Sequence, residues 1–153
     1  METLKFVAAT DSDIGFINET YHENIEKLHG APRSLDTWKE LLSDPKSAYY
    51  VVNANAPVAW FRTDMEDDGF WLGMLQVKPL HQHKGIGKYI LSVIEDMAKE
   101  NGFKKIGIHT TEDNVIARAL YSSAGYTVTE IGPCTTADLQ ERVGYTFQKE
   151  IHG

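Results

Sequence analysis

The chain has 153 residues, 42% of them apolar and 24% charged, a size and balance that suit one domain with a buried core. Acids outnumber bases 22 to 15, giving a formal charge of −7. Such a surface repels nucleic-acid phosphates and anionic lipid headgroups, so neither is an expected partner, and a cationic one is favoured. The single cysteine, Cys134, cannot form an intrachain disulfide. No apolar run is long enough to span a bilayer, and the start METLKFVAATDSD lacks the basic and apolar segments of a signal peptide, so a cytoplasmic location is expected.

Taken in chain order, the pattern is mixed α/β without repeats or low-complexity linkers. Leu4 to Ala9 reads as a first strand. Thr10 or Asp11 can cap a helix whose apolar positions Ile14, Ile17, Tyr21, Ile25 and Leu28 follow helical spacing up to Gly30 and Pro32. A short helix capped by Ser34 carries Leu35, Trp38, Leu41 and Leu42, and stops at Asp44-Pro45. Three β-rich runs follow, Ala48 to Val52, Ala56 to Arg62 and Phe70 to Val77, separated by Asn53-Ala54-Asn55 and Asp67-Asp68-Gly69, as in an antiparallel meander. From Gly85 the apolar residues recur at three and four positions (Ile86, Tyr89, Ile90, Val93, Ile94, Met97, Ala98), which predicts a helix closed at Gly102. A strand over Lys105 to Thr110, a helix over Val115 to Ala124 closed by Gly125, and strands over Tyr126 to Ile131 and Val143 to Ile151 complete the reading.

The segment that points to chemistry is Val77-Lys78-Pro79-Leu80-His81-Gln82-His83-Lys84-Gly85-Ile86-Gly87, a strand running through a glycine loop into the long helix. Glycines let backbone N–H groups approach a ligand, and the unpaired N–H groups of a helix N-terminus suit phosphate oxygens. From Gly69 to Ile94 there are three lysines, two histidines and no Asp or Glu, in an otherwise acidic chain, so an anion is expected there. Two familiar phosphate loops do not match. A dinucleotide fingerprint requires a third glycine where Ile90 stands, and a P-loop requires glycine at Gln82 and Ser or Thr at Tyr89.

The loop Gln82-His83-Lys84-Gly85-Ile86-Gly87 resembles the Q/R-x-x-G-x-G/A cofactor loop of the GNAT N-acetyltransferases. The family also places Val-x-Pro at the end of the preceding strand, here Val77-Lys78-Pro79. A second motif follows about thirty residues on, here Asn114-x-x-Ala117-x-x-Leu120-Tyr121-x-x-x-Gly125-Tyr126. The resemblance implies an α/β (α+β mixed) fold, a central mixed sheet of about six to seven strands flanked by about four helices and splayed between the fourth and fifth strands. It implies acetyl-CoA as co-substrate and no metal. It further implies that the pantetheine arm pairs with the backbone of Leu75, Gln76 and Val77, and that Gln82 opens a cofactor-binding loop in which the N–H groups of His83, Lys84, Gly85, Ile86, Gly87 and Lys88 meet the pyrophosphate. A backbone N–H near Leu75 or Gln76 would face the thioester carbonyl, and Asn114 and Ala117 would flank the arm. Tyr121 would protonate the departing thiolate, although Tyr121 and Tyr126 also suit plain packing. The final strand, Arg142 to Ile151, would allow a homodimer.

The sequence departs from the best-known members in having no carboxylate on Phe70 to Val77, so the general base is open among His109, Glu112, Glu23, Glu26 and water. The run Asp64, Glu66, Asp67 and Asp68 reads as a solvated hairpin, and His81-x-His83 lacks a third metal ligand. Trp38, Trp60 and Trp71 read as core, with Trp38 kept in play by the segment His22 to Ser34, which in the family borders the acceptor site. The expected activity is direct transfer of acetyl from acetyl-CoA to a primary amine of a small molecule or peptide; the alternative is a non-catalytic acyl-CoA sensor of the same fold.

Overall fold

β-branched and aromatic residues are concentrated in seven runs of the chain, and in the computed structural model, which describes residues 3–67 and 69–151, all seven form one sheet. The strands are β1 (Lys5–Ala8), β2 (Ser47–Asn53), β3 (Pro57–Glu66), β4 (Gly69–Val77), β5 (Lys105–Thr111), β6 (Thr127–Thr135) and β7 (Glu141–Glu150), in the order β1-β2-β3-β4-β5-β7-β6. β2, β3 and β4 form the antiparallel meander that the sequence predicts, and β1 pairs antiparallel with β2 at its edge; Asp68, named in the predicted Asp67-Asp68-Gly69 connection, lies outside the described residues. The β4–β5 pair is parallel, as the crossover through a helix requires, which makes the sheet mixed.

Five helices cover the sheet: α1 (Ile14–Glu23), α2 (Ile25–Leu28), α3 (Leu35–Leu42), α4 (Ile86–Glu100) and α5 (Val115–Ser123). Because side chains alternate along each strand, the sheet has two apolar faces. One packs Phe61, Leu72, Ile106, Ile108 and Phe147 against α4 and α5; the other packs Trp60 and Tyr49 against Ile17, Tyr21 and Trp38 of α1 and α3. Trp38 and Trp60 are fully buried, which gives them the packing role.

Two local expectations change. The helix predicted from Ile14 to Leu28 is broken at Asn24 (φ −106°, ψ 4°). The Asn24 side chain is drawn into the sheet, where its Nδ2 donates to Gln76 Oε1 at 3.2 Å and to Val77 O at 3.0 Å. Satisfying a buried strand carbonyl outweighs one continuous helical turn. The final strand, expected to be available to a second copy, is enclosed: β7 pairs with β5 on one side and β6 on the other, so both its edges are occupied within the chain. The unpaired outer edge on that side belongs to β6.

Candidate active site

β4 and β5 pair only over Phe70–Leu72 and Ile106–Ile108, then separate. The register of β4 against β3 supplies a physical reason. Thr63 lies opposite Leu72 and Arg62 opposite Met74, so Gly73 is an extra residue in the ladder, and such a bulge bends its strand. Glycine is required there because a Cβ would overlap the Arg62 guanidinium and the Asp64 carboxylate, which are paired over it. The bulge thus turns the end of β4 away from β5 and opens a cleft of about 1150 Å³.

Strand alternation decides which backbone groups face this cleft. Lys78 N–H donates to Val58 O at 2.9 Å, so Gln76 and Met74, two and four residues earlier, also direct their N–H groups to β3. Leu75 and Val77 point the other way, into the gap. Of the two donors left open by the sequence, the geometry therefore turns Leu75 N–H toward the cleft and Gln76 N–H into the ladder. The carbonyl of Val77 is already used, accepting from Asn24 Nδ2 and from Gln82 Nε2 at 3.1 Å. Gln82 also donates to Asn24 Oδ1, so its side chain clamps the loop to β4.

The loop then enters α4 through residues with positive φ, His83 (63°) and Gly85 (85°). This left-handed geometry exposes successive backbone N–H groups at the helix N-terminus, a natural anion cradle. Gly85, Ile86, Gly87 and Lys88 line the cleft with His83; Lys84 does not, and is exposed. Gly87 has a packing role too, since a Cβ there would lie 2.8 Å from Leu120 Cδ2 where α4 meets α5.

Asn114 caps α5, its Oδ1 accepting from Ala117 N–H at 3.2 Å, while Nδ2 is free to donate into the cleft that both residues line. Tyr121, one turn beyond Ala117, also lines the cleft, packed edge-on against Phe147 at 5.6 Å. Burial pushes its phenol up to about 12, so it stays a proton donor throughout the neutral range. The two tyrosines left ambiguous by the sequence differ here: the Tyr126 hydroxyl is sealed in the core with no partner among the described residues, and Tyr126 does not line the cleft.

On the opposite face of the sheet, His109 lines the cleft, stacked on Trp71 with ring centroids 4.7 Å apart. Its Nδ1 is 3.1 Å from Thr146 Oγ1, which leaves Nε2 open. The other candidate bases stand elsewhere: Glu23 pairs with Lys78, Glu112 accepts from the Tyr145 hydroxyl, and neither they nor Glu26 line the cleft. Glu130, which the sequence reading passed over, does line it; β6 sets Glu130 beside Thr146, which in turn sits beside His109. A glutamate on a strand with exposed neighbours carries no local signal of this.

The connection after α2 crosses this end of the cleft. His29 (φ 53°) places Nε2 2.8 Å from Asp113 Oδ2, and its carbonyl accepts from Asp138 N–H at 3.0 Å. Arg142 completes the strap by donating to Asp138. The Thr136 hydroxyl, then Arg142, hold the Asp138 carboxyl at about 2. Among the described residues no group of three or more His, Cys, Asp or Glu is placed to hold a metal ion, and no helix is long and apolar enough to cross a membrane.

The comparisons with known proteins agree with this layout. The fold is similar to that of an acetyltransferase from Thermus thermophilus (TM-score 0.80, 16% identity, 99% of this chain and 100% of that one). It is similar to the ribosomal-protein-S18-alanine N-acetyltransferase of Escherichia coli (0.77, 20% identity, 99% and 96%). It is also similar to YncA from Salmonella typhimurium, solved with its cofactor acetyl-CoA (0.75, 22% identity, 97% and 94%). At these identities the likeness is one of fold. No curated protein matches the sequence. Residues 16–126, most of the chain, match the acetyltransferase (GNAT) family, and the chain belongs to that family.

Proposed function

We propose that the chain, acting as a single domain, binds acetyl-CoA in the β4–β5 gap and transfers the acetyl group directly to a primary amine. The observation that carries this reading is the coincidence, in one cleft, of a free strand N–H at Leu75, an amide-rich helix N-terminus at Gly85 to Lys88, and the protonated phenol of Tyr121. The site fits the co-substrate. The unpaired N–H of Val77 and both backbone groups of Leu75 can complete a ladder with the amides of an extended pantetheine arm. The loop amides of His83 and Gly85 to Lys88 face its pyrophosphate, and Asn114 Nδ2 supplies a further donor beside Ala117.

In the step itself the acceptor ammonium gives one proton to solvent on entering the site, and the neutral amine then attacks the thioester carbon, forming the C–N bond. Leu75 N–H stabilises the developing oxyanion. The C–S bond then breaks, Tyr121 donates a proton to the leaving thiolate, and His109 Nε2 takes the proton that the amine nitrogen loses. Tyr121 recovers its proton from solvent as products leave. With a pKa of about 12, Tyr121 gives the thiolate a hydrogen bond more readily than a complete proton, so its contribution is modest.

The reading is tested by thiol release from acetyl-CoA across a panel of primary amines, with calorimetry of acetyl-CoA binding alongside. Turnover with at least one amine, reduced in Tyr121→Phe and His109→Gln without loss of acetyl-CoA binding, supports it. Binding with no thiol release from any amine class would favour a sensor of the same fold.

A further inference from the structure

The acceptor end of the cleft contains a charge that the chain leaves uncompensated. Three of the four arginines have protein acceptors: Arg62 donates to Asp64, Arg118 to the Glu112 carbonyl and Arg142 to Asp138. Arg33 has none among the described residues, and its Nη1 is sealed from solvent without a partner. The side chain is nevertheless held in place. Its guanidinium carbon lies 4.7 Å from the centroid of the Tyr21 ring and 5.0 Å from that of Trp38. Both rings are anchored, Tyr21 by donating its hydroxyl to Ala31 O and Trp38 by donating Nε1 to Asn18 Oδ1. These cation–π contacts hold the guanidinium but satisfy none of its N–H donors. Arg33 lines the cleft, and so does Lys27, which also meets no carboxylate among the described residues. Across the same cleft stands Glu130, a carboxylate that forms no ion pair among the described residues.

Building on the acetyl-transfer reading, we infer that the acceptor is an amine that carries a carboxylate on the same molecule, an amino-acid-like zwitterion, and that Arg33 selects it. The guanidinium of Arg33, held against its two aromatic neighbours, offers a carboxylate charge-assisted N–H···O bonding through donors other than the sealed Nη1. Lys27 adds positive charge to the same cleft. The ammonium end is attracted to Glu130 and delivered to His109, so the two ends of the acceptor meet opposite charges in the cleft. Local charge in the cleft thus departs from the whole-chain charge of −7, which by itself favours a purely cationic partner. Net charge acts on distant encounter; the pairing of a desolvated guanidinium decides which molecule stays.

The test is steady-state thiol release at saturating acetyl-CoA with L-methionine, L-glutamate and L-phenylalanine, each as free acid and as methyl ester, and with spermidine. The wild-type protein is expected to use at least one free acid with kcat/KM about 10- to 100-fold above its ester, the range for loss of a charge-assisted hydrogen bond. In Arg33→Gln this preference collapses while the KM for acetyl-CoA is unchanged, and Arg33→Lys retains part of it. Equal or better use of the esters or of spermidine by the wild-type protein overturns the inference, and that comparison needs no variant to fold. An Arg33→Gln effect confined to the KM for acetyl-CoA also overturns it, assigning Arg33 to the CoA phosphates. Acetyl-CoA binding without turnover of any free acid overturns it while leaving the cofactor reading intact, whereas no acetyl-CoA binding removes both.

Discussion

The two halves of the cleft are built by different means. The half beside α4 and α5 is made of backbone: the gap after Leu72, the N–H groups of Leu75 and Val77, and the amides that follow His83 and Gly85. The half beneath the α2–α3 connection is lined by side chains from distant segments, Arg33, His109 and Glu130, and the connection itself is tied down by the His29–Asp113 contact. A backbone site tolerates changes in most side chains while keeping its ligand. A side-chain site changes ligand with one substitution.

If the division holds, the deepest loss of rate comes from removing a backbone donor, and Leu75→Pro does so without removing a ladder bond. Proline is tolerated in a strand where its N–H would face away from the pairing partner. The kcat should fall by about 100- to 1000-fold, as for loss of an oxyanion donor, while circular dichroism still reports the folded sheet. An unchanged kcat would move the oxyanion to another group. His109→Gln ranks next, with a fall in kcat/KM of about 100-fold at neutral pH and acetyl-CoA affinity preserved. If its rate equals wild type, water or Glu130 serves as the base. Tyr121→Phe should cost only about 10-fold in kcat, because a phenol raised to about 12 is a reluctant acid.

The seam between the halves is probed through Asn24→Ala, which leaves the Gln76 side chain, and in part the Val77 carbonyl, without a buried donor. It should destabilise the fold by about 1 to 3 kcal/mol in a denaturant titration and raise the KM for both substrates. A stability change near zero would mean that Gln82 alone secures the end of β4.

The smallest effect is at alkaline pH. Burial raises the folded-state value of Tyr121 above its ordinary 10.0, so its contribution to stability is complete below pH 10 and is lost as pH climbs towards about 12. Tyr121→Phe should flatten part of the alkaline decline in melting temperature. A decline identical to wild type would place that titration on Tyr126, whose phenol burial also raises.

The same division explains what the sequence disclosed. In the half proposed for the cofactor, the elements were legible because their signals are local: a glycine loop feeding a helix of apolar period from Ile86, and a motif from Asn114 to Tyr126 that includes the helix carrying Tyr121. The break at Asn24 and the bulge at Gly73 were not legible, since each depends on a partner remote in sequence or on strand register. Asn24 bonds to a residue 52 positions away, and Gly73 is an extra residue only relative to Arg62 and Thr63. The other half was hidden for the same reason: the His29–Asp113 contact spans 84 positions, and Arg33 and Glu130 have no spacing that relates them. Gly87 carried two meanings at once. Its place in the loop was legible and its contact with Leu120 was not, so enlarging Gly87 would separate α4 from α5 as well as fill the loop.

The central claim is that acetyl-CoA occupies the gap between β4 and β5, and isothermal calorimetry of acetyl-CoA against the folded chain tests it most directly. The account predicts saturable binding at one site per chain with micromolar affinity. No heat of binding to a protein that circular dichroism shows to be folded would contradict it, and the cleft would then serve some other ligand.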